Sequence, residues 1–228
     1  MLKKRNVDNV LIAIDLDNTL LNSENEISLY SQKVLKSLSS KGIGIIFATA
    51  RSMLDIEAIL QIVPVDSIVA CGGAQIILSK ERKFDVFLDE VVLNRLLGDL
   101  VSEPGIDEIK IVCEDGIYSN NINTCRKHCY VKYHTMQQKD VKRAYKATVV
   151  ASNLDQADKL KNQIKDCSVF RYRESSALMI TDKRATKFEA LKTIARFYGI
   201  PISNIIAFGD DESDIDMIQN VGKGIAVK

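Results

Sequence analysis

Two groups of carboxylates in this 228-residue chain each follow an apolar run, and their placement asks for a counter-charge. Val10-Leu11-Ile12-Ala13-Ile14 contains no turn signal and reads as a strand buried on both faces, running straight into Asp15 and Asp17. Side chains two apart in extended backbone point the same way, so these acids reach one small volume if strand geometry persists as far as Asp17. Close carboxylates repel unless a proton or a cation separates them, which calls for a divalent metal or for one acid kept protonated. Phosphoryl chemistry can use both devices. The arrangement recurs late in the chain, where Ile202 to Phe208 reads as a strand and Gly209-Asp210-Asp211-Glu212-Ser213-Asp214 comes directly after it. That repetition favours a metal over an ordinary solvated acidic loop.

A cation and a hydroxyl belong to the same pattern. Thr186-Lys187-Phe188-Glu189 has the form of a capping box, which puts Lys187 at the first position of a helix ending at Gly199. A cation beside a helix N-terminus is disfavoured by something on the order of 0.3 to 1 kcal/mol when exposed, so an anionic neighbour is expected. Thr49 follows the apolar run Ile43 to Ala48, and open parallel sheets bind ligands outside the carboxyl ends of their strands, the rim that also carries Asp15.

The elements needed to position these groups alternate along the chain. After the first strand, Ser28 caps a helix carrying Val34, Leu35 and Leu38; then come a strand at 43–48, a helix from Ser52 to about Ile62, and a strand at Ser67 to Cys71. Strand, helix, strand, helix predicts a parallel sheet with right-handed crossovers. From about Ile76 the pattern changes. Two apolar runs, Ile76 to Leu78 and Phe84 to Leu88, flank a charged turn and read as an antiparallel hairpin opening an inserted domain. Within the insert a helix is expected from Asp89 to Ser102 and another from Asn153 to Asp166. Strands are expected at Glu108 to Cys113, Gly116 to Ser119, Ala144 to Ala151, Ser168 to Arg173 and Ala177 to Thr181, an α+β layer. The least regular stretch is Asn120 to Asp140. Its Cys125, His128 and Cys129 form no complete four-ligand zinc set, so it reads as a loop or strand of the insert.

Composition narrows the class. Hydrophobic content of 46% with 27% charged residues is ordinary for a soluble globular chain, and a formal net charge of +1 gives no global attraction to nucleic acid or membrane. Asp15 and Asp17 interrupt the first apolar run, so neither a signal peptide nor a membrane span fits it. Five cysteines without paired spacing argue against a disulfide framework and for a cytoplasmic protein.

In their order, these motifs resemble those of the haloacid dehalogenase (HAD) superfamily of phosphohydrolases. Asp15-Leu16-Asp17-Asn18-Thr19-Leu20 is similar to its first motif, D-x-D-x-T-L; Thr49-Ala50-Arg51 occupies the place of T-G-R, with Ala50 for Gly. Cys71-Gly72-Gly73-Ala74 resembles the N-G-A that comes after the third strand, and Gly209 to Asp214 resembles G-D-G-x-N-D, with Asp211 for Gly and Ser213 for Asn. An insert after the third strand matches the Cof-like branch with a type IIB cap. The resemblance implies a Rossmann-like α/β core at 1–74 and 182–228, sheet order 5-4-1-2-3, and an α+β cap at 75–181. It implies that Asp15 attacks phosphorus to give an aspartyl-phosphate, while Asp17 protonates the leaving oxygen and then activates water. Mg²⁺ would be held by Asp15, the Asp17 carbonyl oxygen and Asp210, with Asp214 ordering the ligands, and Thr49, the amide at Ala50 and Lys187 would bind phosphoryl oxygens. The implied reaction is hydrolysis of a small phosphorylated metabolite, with sugar phosphates the family-level expectation. A phosphomutase would use the same acids, and a non-catalytic phospho-ligand sensor would lack one of them. Dehalogenation fits least, since that branch lacks the metal cluster. Relatives normally continue through a further helix-containing segment, so the chain is expected to be either naturally short or truncated.

Overall fold

The computed structural model describes residues 9–78, 82–121, 133–135 and 141–227. They form two compact units, one of 1–85 with 185–228 and the other of 86–184. The first contains strands β1 (Leu11–Ile14), β2 (Gly44–Ala48), β3 (Ser67–Ala70), β4 (Gln75–Leu78), β5 (Arg82–Asp85), β12 (Ile205–Gly209) and β13 (Lys223–Ala226) in one sheet, ordered β13-β12-β1-β2-β3-β4-β5. The five strands from β13 to β3 are parallel, in the order 5-4-1-2-3 when counted along the chain, as the motifs imply.

Burial on both faces explains the apolar runs. Alternate residues of β1 and β2 feed two cores: Leu11, Ala13, Ile46 and Ala48 join Leu191, Ile194 and Met217, while Ile12, Ile14, Ile45 and Phe47 join Leu35, Ile56 and Ile59. Helices α1 (Leu29–Ser40) and α2 (Met53–Ile56) therefore supply one covering layer, and α5 (Lys187–Tyr198) and α6 (Ile215–Asn220) the other. Ser28 caps α1 by accepting the Ser31 N–H at 3.1 Å, and Gly199 ends α5 in the left-handed conformation. The helix expected from Ser52 to Ile62 is shorter, closing after Ile56 and resuming as one tight turn at Ile59–Gln61.

The hairpin expected to open the insert instead belongs to the first sheet. β4 pairs antiparallel with β3 from Ser67↔Leu78 to Ala70↔Gln75, and β5 extends β4. Ile76 and Leu78 are committed to the core beneath α5 rather than to a separate layer, which moves the division between units from 75 to after Asp85. At the other junction it falls after Arg184, whose guanidinium pairs with Asp182 at 2.8 Å.

The second unit holds β6 (Ile106–Cys113), β7 (Ile117–Ser119), β8 (Tyr133–Thr135), β9 (Ala144–Ala151), β10 (Ser168–Arg171) and β11 (Ala177–Thr181) in the order β10-β11-β9-β6-β7-β8. Pairing is antiparallel except between β7 and β8. Helices α3 (Glu90–Ser102) and α4 (Leu154–Gln163) cover one face through Leu93, Leu97, Leu100, Ala157 and Leu160, packed on Ile109, Ile111, Val149 and Ile180. Of the stretch considered for zinc, Cys125, His128 and Cys129 lie outside the described residues.

Candidate active site

β1, β2 and β12 are neighbours in parallel register, so the residue after each strand emerges at one rim: Asp15 after Ile14, Thr49 after Ala48, and Asp210 after Gly209. Asp15 is fixed there by its own N–H, which donates to the Phe208 carbonyl at 3.0 Å. Strand geometry does not continue beyond it. Leu16–Leu20 forms a single wide turn closed by Leu21 N–H to Leu16 O at 2.8 Å, with Asn18 at φ +55.

Asp15 gathers with Asp210 and Asp214, each offering one carboxylate oxygen within 4.8 Å of the others, while Asp17, carried by the turn, still adds to the negative field at Asp15 and has its carboxylate gripped by Arg51. Lys187 lies between two members of the group, its Nζ donating to Asp15 Oδ1 at 2.8 Å and to Asp214 Oδ1 at 2.5 Å. Only 1% of this side chain is exposed. A cation at the start of α5 is accommodated because its anionic neighbours are supplied by β1 and by the turn before α6.

Several backbone features make this approach possible. Gly209 faces Asp214 so closely that a Cβ there would sit 2.5 Å from the Asp214 Cγ. Gly73, at φ +113, lets the turn after β3 pass against the Thr186 backbone, where a Cβ would meet the carbonyl oxygen at 2.3 Å. Asp214 Oδ2 accepts the N–H groups of Asp210 at 3.2 Å and Asp211 at 3.1 Å, tying the acidic turn to itself. Thr19 donates its hydroxyl to Asp210 Oδ1 at 3.1 Å, which orients that carboxylate. Thr49 is fully buried, and its Oγ1 accepts the Arg51 N–H at 3.0 Å; Ala50, half-buried, lies between them.

The electrostatics reflect burial and charge count. Asp15 is pushed up to about 7, first by desolvation, with Lys187 opposing and Asp214 and Asp17 adding to the rise. Desolvation alone would lower Lys187, but attraction and hydrogen bonds from Asp15 and Asp214 outweigh it and hold the ammonium charged. Three carboxylates against one ammonium leave room for further positive charge. All three offer hard oxygen ligands, so the donor set fits Mg²⁺.

Sequence reasoning missed two contributors. Asp216 accepts the Phe188 N–H at 3.3 Å and so anchors the first turn of α5 beside Lys187; a carboxylate near a helix N-terminus was the available signal, but the partner lies 28 residues away. Arg51, read from the sequence only as part of the T-G-R match, binds Asp17 with two of its nitrogens. The departure at Asp211 is harmless to the backbone. Its φ of −110 needs no glycine, and its side chain caps the next turn by accepting the Glu212 N–H at 2.6 Å.

A parallel sheet with this acid and ammonium group at its carboxyl rim is the α/β core expected from the HAD-like motifs, and comparison with known proteins agrees. The family described as haloacid dehalogenase-like hydrolase matches residues 12–228. A putative phosphatase of Buchnera aphidicola (subsp. Acyrthosiphon pisum) is 28% identical over 230 residues, covering 96% of this chain and 84% of that one. A 5-amino-6-(5-phospho-D-ribitylamino)uracil phosphatase of Bacillus subtilis is 25% identical, covering 95% and 87%. Among solved structures, a haloacid dehalogenase-like hydrolase from B. subtilis superposes with a TM-score of 0.80 at 23% identity over 95% of this chain and 88% of that one. A sugar phosphatase of HAD subclass IIB gives 0.80 at 19% identity over 95% and 86%. The chain belongs to the haloacid dehalogenase-like hydrolases, in their Cof-like branch, and is an enzyme of the phosphoric monoester hydrolase type.

Proposed function

We propose that the protein is a Mg²⁺-dependent phosphatase that hydrolyses a small phosphorylated metabolite, a sugar phosphate, through an aspartyl-phosphate on Asp15. The observation that carries this reading is the buried Asp15–Lys187–Asp214 contact with Asp210 within ligand distance of it. Asp15 attacks phosphorus and the ester oxygen departs, taking a proton from Asp17. Asp17, now a carboxylate, accepts a proton from water as that water attacks the same phosphorus, releasing phosphate and restoring Asp15. Lys187 uses two of its three donors on Asp15 and Asp214, and the third serves a phosphoryl oxygen together with the Thr49 hydroxyl and the Ala50 amide. Asp15, Asp210 and the Asp17 carbonyl would hold Mg²⁺, with Asp214 ordering them. Bound there, the ion supplies charge neutralisation between the carboxylate nucleophile and the phosphoryl group.

The second unit is read as the cap that chooses the substrate, a role supported by the subclass named for the sugar phosphatase above. Among the described residues no helix is long and apolar enough to cross a membrane; the cytoplasmic reading rests on five cysteines without paired spacing. The test is phosphate release from a panel of sugar phosphates with Mg²⁺ and with a chelator. Release from at least one substrate, lost on chelation, is expected; no release from any, or release untouched by chelation, contradicts the proposal.

The raised Asp15 gives a pH dependence of fixed sign. A proton and the metal compete for this carboxylate, so Mg²⁺ affinity should be level above pH 7 and fall about tenfold for each unit below it. Calorimetric titrations at pH 6 and pH 8 check this, with proton release on binding expected only at the lower value. Equal affinities would remove Asp15 from the ligand set.

A further inference from the structure

The proposed reaction leaves the Arg51 guanidinium without a task, although it makes four close polar contacts at the rim. Its Nε lies 3.1 and 3.0 Å from Asp17 Oδ1 and Oδ2, and its Nη2 lies 2.5 Å from Oδ1. The same Nη2 donates to Asn25 Oδ1 at 2.7 Å. Three segments meet here: the turn after β1, the rim of β2, and the tight turn preceding α1.

That last turn is a firm support. Asn25 N–H donates to Asn22 O at 2.9 Å, Asn22 Oδ1 accepts from Glu24 and Glu26 N–H at 3.0 and 2.9 Å, and Leu21 and Ile27 form an antiparallel bridge across its base. Asn25 itself sits at φ +60, a conformation asparagine tolerates better than most residues. Its amide oxygen thus braces the guanidinium through the same nitrogen that reaches Asp17 Oδ1.

Asp17 needs such a device. Its side chain is 45% exposed and stands on a turn rather than in a strand, so without a partner it would sample several rotamers. A simple surface ion pair fixes little, but the planar fork of arginine meeting both carboxylate oxygens sets the plane of the acceptor as well as its distance.

We propose that Arg51, braced by Asn25, is a positioning residue that orients the Asp17 carboxyl group for both of its proton transfers. The proposal rests on the reading of Asp17 as the group that gives a proton to the departing ester oxygen and then takes one from the attacking water.

Leaving-group dependence isolates that role. The alkoxide of a sugar phosphate departs only as it is protonated, whereas p-nitrophenolate departs without help, and kcat/KM reports the reaction up to that departure. The experiment measures kcat/KM at saturating Mg²⁺ for a hexose phosphate that the unmodified enzyme hydrolyses and for p-nitrophenyl phosphate. Arg51→Met should lose about 10²-fold on the hexose phosphate and only a few-fold on p-nitrophenyl phosphate. Arg51→Lys, which keeps charge but not the fork, should recover part of the loss. Asn25→Gly, which keeps the left-handed turn but removes the brace, should show a smaller loss with the same bias. Retained p-nitrophenyl phosphate turnover also shows that the variants fold. Equal losses on both substrates would make Arg51 a phosphate-binding or merely structural residue and overturn the proposal. Asp17→Asn separates the two readings: bias in Asp17→Asn without bias in Arg51→Met refutes the positioning role alone, whereas no bias in Asp17→Asn refutes the reading of Asp17 and the positioning role with it.

Discussion

Replacing Asp15 by Asn is expected to lower phosphate release by about 10⁴-fold or more while leaving the far-ultraviolet circular dichroism and the cooperative melt in place. The asparagine keeps the shape of the side chain and an oxygen toward the rim, but an amide does not form the acyl phosphate through which the proposed reaction passes. The fold should survive for electrostatic reasons. Asp15 is buried and pushed up to about 7 by that burial, so its negative charge is not what holds the core together, and Lys187 keeps Asp214 as a partner at 2.5 Å. Turnover measured with saturating Mg²⁺ and corrected for any wild-type contamination decides the matter. Retained turnover would remove Asp15 from the nucleophile role.

Lys187→Met should have the largest effect on stability. Methionine fills a similar volume but leaves two buried carboxylates facing the place of the ammonium, whose contacts were 2.8 Å to Asp15 and 2.5 Å to Asp214. Breaking a buried ion pair from one side costs about 3 to 5 kcal/mol, because the remaining charge keeps its desolvation penalty and loses its partner. The pH sign is fixed by the same contacts. Lys187 is raised above its ordinary value, so the stability it contributes is complete at neutral pH and fades only as strongly alkaline pH removes the proton. The variant should therefore show its full deficit at pH 7 in urea titration, and it should also lose the phosphoryl-oxygen contact needed for turnover. A variant as stable as the parent would mean that the two carboxylates are not jointly compensated by this ammonium.

The parallel core was legible because its signal is local. Strands buried on both faces are continuous apolar runs, and β1, β2 and β3 announce themselves in that way. The hairpin of β4 and β5 was legible as a hairpin but not as part of the core sheet, since nothing in Ile76 to Asp85 says which edge it joins. The acids at 15, 210 and 214 and the lysine at 187 were legible from strand ends and from a misplaced charge on a helix. Period described the backbone less well than the site: alternation assumed a strand through Asp17, whereas a wide turn beginning at Leu16 carries it, with its charge still felt at Asp15.

Substituted motif positions separate conformation from chemistry. Cys71 and Gly72 both lie at positive φ, +51 and +68, ahead of Gly73-Ala74, so the stretch resembling N-G-A is a left-handed turn of the kind asparagine and glycine adopt readily, whatever side chain stands there. The partnership of Arg51 with Asp17 and Asn25 spans 34 and 26 residues and leaves no periodic trace. Such contacts arise from the turns that bring distant segments to one rim, and only coordinates supply them.

Rapid acid quench of the enzyme during turnover, then borohydride reduction and peptide mass spectrometry, tests the phosphoryl transfer to Asp15 most directly. Reduction of an acyl phosphate turns its carboxyl carbon into an alcohol, so the peptide containing Asp15 should carry that change, absent when substrate is omitted. The same change at Asp17, Asp210 or Asp214, or at no acid while phosphate is being released, would contradict the account.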